Sequence, residues 1–187
     1  MKCFAVGFSI LVAVSAWGQG SIHFGNTPTT LITTNDFQGH IGNILGPGNY
    51  RFGLYTGPLG APGSLLTLTT VATNGATPGR FDGGTEPLAG FPTGSQVSFQ
   101  VRGWSIFGGP SYETAAAIPG AYIGESTIGF FTVPMSGTIE VFGTGPGQVG
   151  GFVLTPVVPE PSAYALAALG LCALVFCRRL ITKQGRR

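Results

Sequence analysis

Gln96-Val97-Ser98-Phe99-Gln100-Val101-Arg102 alternates polar and apolar side chains without a break. Successive side chains of a strand point to opposite faces, so Val97, Phe99 and Val101 share one face, and the pattern predicts a strand with one buried side. The β-prone run extends from Ser95 to Ile106, and Tyr50, Phe52 and Leu54 repeat the alternation in a second run, Asn49 to Thr56. Further short runs are Ser21 to Asn26, Ser64 to Thr73, Tyr122 to Val133, Thr138 to Phe142 and Gly151 to Val157. Gly46-Pro47-Gly48, Asn74-Gly75, Asp82-Gly83-Gly84 and Gly145-Pro146-Gly147 separate them. Glycine supplies positive φ in such turns and proline presets the first turn residue. No run carries a helical period, no internal repeat of fixed length is present, and the one helical turn expected is Tyr112 to Ala117. The prediction is an all-β fold, a single Gly/Thr-rich antiparallel β-sandwich over residues 19–157.

Both flanks read differently from this body. Lys2 precedes an apolar stretch from Phe4 to Ala16, and Ala16-Trp17-Gly18 offers small residues ahead of a cut before Gln19, with a cut after Ala16 as the alternative. Residues 1–18 are therefore expected to be a signal-peptide helix, read by signal peptidase; thirteen apolar residues are few for an uncleaved anchor. At the other end, Val158-Pro159-Glu160-Pro161-Ser162 leads into an uncharged run from Ala163 to Cys177, then Arg178-Arg179 and a basic tail. Two prolines one residue apart keep this junction out of a regular helix. The run spans roughly 22 Å as a helix, short of a hydrocarbon core of about 30 Å. Snorkelling of Arg178 and Arg179 would add Leu180 and Ile181, giving an expected transmembrane helix over 163–181. Positive charge stays in the cytoplasm, so the body lies outside.

Separating the flanks changes the charge balance. The chain has 187 residues, nine Lys and Arg against seven Asp and Glu, and a formal charge of +2. Six of the basic residues (Lys2, Arg178, Arg179, Lys183, Arg186 and Arg187) sit in the ends. Between Gln19 and Val158, three basic residues (Arg51, Arg80, Arg102) face six acidic ones, a net charge of −3. A body without a stripe of Lys and Arg has nothing to neutralise phosphates, which excludes nucleic acid as a partner class. Cys3, Cys172 and Cys177 all lie in the flanks, so the body has no disulfide framework and relies on its core.

Candidate chemistry in the body is sparse. His23 and His40 stand seventeen positions apart with no thiolate between them, so no metal ligand set is expected. Asp82, Glu86, Glu113, Glu125 and Glu140 would form a glycosidase pair only if two converged on a cleft, and otherwise are solvated surface carboxylates. Asp82-Gly83-Gly84 lacks the alternating oxygen ligands of a calcium loop, no Gly-x-Ser-x-Gly elbow occurs, and the glycine-rich Gly143 to Gly151 lacks a phosphate-loop lysine. No catalytic residue and no cofactor are assigned. One binding residue is singled out: Trp104 shares with Arg102 the face opposite Val97, Phe99 and Val101. Exposed, it would stack against a sugar ring; packed under the loop around Tyr112, it would be core.

The order Val-Pro-Glu-Pro-Ser, apolar helix, arginine cluster at residues 158–187 resembles the PEP-CTERM sorting signal of Gram-negative, biofilm-forming bacteria. Pro159, Glu160 and Pro161 occupy the recognition motif, and Arg178 and Arg179 the membrane stop. The resemblance implies that exosortase, a membrane-embedded cysteine protease, handles the tail. It also implies an inner-membrane single-pass precursor delivered to the cell surface or the extracellular matrix, with exopolysaccharide as a partner. Gln100-Val101-Arg102-Gly103-Trp104, Ser111-Tyr112-Glu113-Thr114-Ala115-Ala116, Gly124-Glu125-Ser126 and Phe131-Thr132-Val133 are similar to a segment of exported PEP-CTERM proteins of the Verrucomicrobia type, which adds no activity. The expectation is a structural or adhesive, non-enzymatic surface protein, with a carbohydrate-binding or carbohydrate-active protein as the alternative.

Overall fold

A computed structural model of the chain describes residues 20–88, 90–158 and 169–172. In chain order the strands are β1 (Ser21–Gly25), β2 (Thr33–Asn35), β3 (Ile41–Asn43), β4 (Tyr50–Pro58), β5 (Thr67–Thr73), β6 (Asp82–Pro87) and β7 (Gln96–Ser105). A short helix α1 (Tyr112–Ala116) precedes β8 (Tyr122–Glu125), β9 (Gly129–Thr132), β10 (Thr138–Glu140) and β11 (Val153–Pro156). They form two sheets, a small one ordered β10-β1-β6 and a large one ordered β3-β2-β11-β8-β7-β4-β5, with β9 also paired to β7. The all-β sandwich is observed, with one refinement. β1–β10 and β11–β2 are parallel, while the other strand pairs are antiparallel; the long chain between the partners provides the crossover that a parallel pair requires.

β7 is the organising strand. It pairs with β4 along its whole length, from Tyr50↔Ser105 to Pro58↔Val97. Its other edge is shared by β9, opposite Gln96 to Phe99, and β8, opposite Arg102 to Trp104. The expected single strand from Tyr122 to Val133 is thus two strands, broken where the Ser126 hydroxyl enters the ladder. Val101 N–H donates to Ser126 Oγ at 3.0 Å, and Ser126 N–H donates to the Val101 carbonyl at 2.8 Å. A side chain replaces one backbone partner, and the strand divides at that point.

Val97, Phe99 and Val101 enter the main core with Phe52 and Leu54 of β4 and Ile22 and Phe24 of β1. Phe81 lies at its centre, stacked on Phe52 at 4.3 Å between ring centroids and meeting Phe24 and Phe142 edge-on at 5.1 and 5.5 Å. Such offset and edge contacts match the charge distribution of aromatic rings. Asn26 ties two loops beside this cluster: its amide donates to the Thr30 and Gly79 carbonyls at 2.8 and 2.7 Å, and its oxygen accepts from Phe81 N–H at 2.9 Å.

The one-sided burial expected for β7 is corrected by its second face. Ser98, Gln100 and Trp104 are also buried. Segments 59–66 and 106–121 cover that face, and its polar groups find partners in them or alongside. Ser98 Oγ accepts from Gly60 N–H at 2.9 Å, and Gln100 donates to the Ser126 carbonyl at 3.1 Å. Three strands, β2, β3 and β6, fall outside the expected runs. β2 and β3 form a three-residue hairpin pair, and β6 runs through the Asp82-Gly83-Gly84 read as a turn. The turn chemistry there is real, since Gly84 N–H donates to Asp82 Oδ1 at 2.8 Å with Gly84 at φ 78°, and it coincides with the register shift between β1 and β6.

The signal-peptide region and most of the expected transmembrane helix lie outside the described residues. Residues 169–172 are helical. Among the described residues no helix is long and apolar enough to cross a membrane.

Candidate functional site

The tail leaves the fold from a defined place. β11 ends at Pro156, paired with Tyr122, and the next residue is held in both directions: Val157 N–H donates to the Ala121 carbonyl at 2.8 Å and Gly120 N–H to the Val157 carbonyl at 2.9 Å. Val158 is 64% exposed. The hydrogen-bonded part of the described fold thus runs to Val157, two residues before Pro159. Pro159, Glu160 and Pro161, and Arg178 and Arg179, lie outside the described residues.

Beside this exit, the outer face of β7 carries a caged cation. The Arg102 side chain is only 12% exposed, and its guanidinium sits 4.3 Å from the centre of the Tyr55 ring and 5.4 Å from that of Tyr112. It donates to Gln100 Oε1 at 3.1 Å, to the Gly63 carbonyl at 2.5 Å and to Glu113 at 3.4 Å, with Glu125 at 3.9 Å. The planar fork of arginine serves such a site, engaging rings and carbonyls together. Tyr55 also donates to Glu113 at 3.2 Å. Burial, reinforced by the Glu113 carboxylate, pushes the Tyr55 hydroxyl up to about 12. Burial likewise raises Tyr112, with Glu125 adding to it. Arg102 is thus held from three directions, by Gln100 of its own strand, by the Gly63 carbonyl and by Glu113 of α1.

Trp104 lies next to it and is fully buried with Ala115 and Ala121, packed by Tyr112, Ile118, Ile123 and Val157. Its indole N–H donates to the Gly109 carbonyl at 3.2 Å. The sugar-stacking role considered for Trp104 is corrected on this ground: an indole covered on both faces offers no platform. It is the pin that fastens segment 106–121 over the sheet.

The titratable groups of the small sheet meet at His23. Its Nδ1 is 2.8 Å from Glu140 Oε2 and its Nε2 is 3.3 Å from Asp82 Oδ1, so one imidazole links all three strands, β10, β1 and β6. The hydrogen bond that His23 Nδ1 donates to Glu140 raises the His23 pKa above its ordinary value, against a smaller lowering by burial. His40 pairs separately with Asp36 at 2.7 Å. The Gln38 backbone N–H, ahead of His40, holds the Asp36 carboxyl below its usual range. The carboxylates considered as a hydrolytic pair are thereby divided: Asp82 and Glu140 flank His23, and Glu113 and Glu125 flank Arg102. Among the described residues no group of three or more His, Cys, Asp or Glu side chains is placed to hold a metal ion.

One groove of about 530 Å³ opens beside β9, lined by Phe130, Phe131, Ile139, Glu140, Pro146 and Gln148 among others. Phe130 stands 46% exposed in it. Gln148 is committed to the loop, accepting from Gly145 N–H at 2.8 Å and donating to the Glu140 carbonyl at 3.0 Å. Sequence reasoning missed this groove, because Phe130 alternates with the buried Phe131 inside a run read as one continuous strand.

Residues 157–179 match the family model of the PEP-CTERM protein-sorting motif. No curated protein and no solved structure matches the chain. The match begins at Val157, the residue hydrogen-bonded to the Gly120-Ala121 turn. The chain thus carries the tail of an exosortase substrate, exported and sorted through the membrane.

Proposed function

We propose that residues 19–157 form a non-enzymatic structural or adhesive cargo, delivered to the cell surface or extracellular matrix after signal peptidase and exosortase have removed the two ends. The observation that carries this reading is the junction itself. The sorting motif starts where the last strand is tied down and Val158 just beyond it is exposed, so on this reading the protease meets a finished domain. The Arg102 and His23 clusters support a structural role, because Arg102 ties covering segments to β7 and His23 bridges the three strands of the small sheet. Before cleavage, the apolar run from Ala163 onward holds the precursor in the inner membrane as a single pass. Mass spectrometry of the exported C-terminus tests the route: truncation near Pro159 to Pro161 is expected in cells with active exosortase, and an intact tail there would overturn processing.

A carbohydrate-binding role is the second reading, and the groove at Phe130 favours it, since an exposed aromatic ring beside a carboxylate suits a sugar unit. Affinity electrophoresis through a panel of polysaccharides decides it. Retardation lost in Phe130→Ala supports binding, and no retardation in any gel removes it.

A further inference from the structure

Ile106 and Phe107 follow β7 in a tight turn and are 48% and 70% exposed. The turn is held in place: Ile106 N–H donates to the Asn49 carbonyl at 2.9 Å, Gly109 N–H to the Ile106 carbonyl at 3.0 Å, and the buried Trp104 indole to the Gly109 carbonyl. Two adjacent large apolar side chains are therefore fixed outward on an ordered support.

Their position relative to the tail follows from the ladder. Ile123 of β8 pairs with Trp104 of β7 on one side and with Thr155 of β11 on the other. One row further, Tyr122 N–H donates to Ser105 Oγ at 3.0 Å while Tyr122 pairs with Pro156. The next row brings Ile106, Ala121 and Val157 to the same end of the sheet. Ile106 thus stands two strand spacings, roughly 10 Å, from the point where the tail departs. From Val158 to Ala163, where the apolar run begins, the chain reaches at most roughly 18 Å even fully extended. The rim bearing Ile106, Phe107 and Val158 is tied that closely to the start of the membrane segment. Two rows inside the rim, opposite Trp104, Arg51 donates to the Pro110 carbonyl at 3.4 Å and forms no ion pair among the described residues.

We propose that this rim docks on the phospholipid surface while the precursor is anchored, with Ile106 and Phe107 entering the headgroup–acyl boundary and Arg51 facing lipid phosphate. The proposal rests on the membrane-anchored precursor described above. The short tether makes insertion an intramolecular event, so a patch too small to bind a membrane from solution suffices once the tail is inserted. Docking also fixes the orientation of the domain, setting the sorting motif at the bilayer surface where a membrane-embedded protease works.

The test uses the full chain reconstituted into phosphatidylcholine vesicles with and without brominated acyl chains, in two variants, Phe107→Trp and Phe130→Trp. Phe130 pairs with Ser98, seven rows or roughly 24 Å back along β7 from Ser105, which lies next to the rim row, and serves as the remote site. Phe107→Trp should add blue-shifted emission that loses intensity with brominated lipid, and Phe130→Trp should add water-exposed emission that brominated lipid leaves at the quenching level of the unsubstituted chain. Vesicle flotation is measured on the same samples, and circular dichroism checks that each variant keeps its β signature. A chain that floats but shows no more quenching at 107 than at 130 overturns docking and leaves the anchor standing. A chain that fails to float overturns the anchor, and docking with it.

Discussion

Replacing Asn26 with alanine should cost stability well beyond one lost side chain. Asn26 is buried and satisfies three main-chain groups, the carbonyls of Thr30 and Gly79 and the N–H of Phe81. Alanine removes all three bonds, leaving the Thr30 carbonyl and the Phe81 N–H without the amide, while the Gly79 carbonyl keeps its bond from Ile32 N–H at 3.0 Å. Each lost bond is worth about 1 kcal/mol, and a donor stranded away from water up to about 3 kcal/mol, so the sum is roughly 3–5 kcal/mol. For a body of this size that lowers the melting midpoint by about 10–15 °C. The assay is equilibrium urea unfolding of the exported protein followed by Trp104 fluorescence and far-UV circular dichroism. Trp104 belongs to the separate cluster under α1, so a coincident shift of both signals shows that the two cores unfold as one. A loss under about 1 kcal/mol would refute the reasoning, because the freed groups would then have found other partners.

Three further outcomes follow from the geometry. His23 has a folded pKa raised above 6.5, so its contribution is complete below pH 6.5 and is lost as pH rises through the folded value; urea midpoints taken from about pH 5.5 to 8.5 should decline in the native protein, and His23→Gln should remove that component. Trp104→Phe, which deletes the donor to Gly109, should lower stability by about 1–2 kcal/mol while leaving migration in polysaccharide gels unchanged; altered migration at unaltered stability would restore a surface role. Gly147→Ala places a side chain at φ 78° and against the Phe130 carbonyl, so it should destabilise by at least about 1–2 kcal/mol and distort the groove, read by thermal unfolding.

The strands that were legible are those whose apolar residues alternate against the core: β4 and β7 follow directly from Phe52, Leu54, Val97, Phe99 and Val101. β6 was illegible because it contributes little apolar surface. Asp82-Gly83-Gly84-Thr85-Glu86-Pro87 forms a strand by main-chain pairing with β1, and nothing in its side chains announces that. The hairpin of β2 and β3 is three residues per strand, too short for any period. Trp104 was placed on the correct face of β7, but alternation reports only which side a residue is on. What covers that side depends on the return path of residues 106–121, which no local pattern encodes. Of the candidate site, the tail was legible because its chemistry is linear: a proline-bounded connector, an apolar run and a basic stop. The junction between tail and fold was not, since it depends on hydrogen bonds between Val157 and residues 120 and 121.

The parallel pairing of β1 with β10 sets an order for folding. Ser21 pairs with Thr138, more than a hundred residues later in the chain, and β2 pairs with β11 at the very end of the domain. The β2–β3 hairpin can form locally, but neither sheet has its full strand order until the last quarter of the body is present. The final strand ends at Pro156, one residue before the sorting motif begins, so the element that completes the large sheet is also the one that carries the tail.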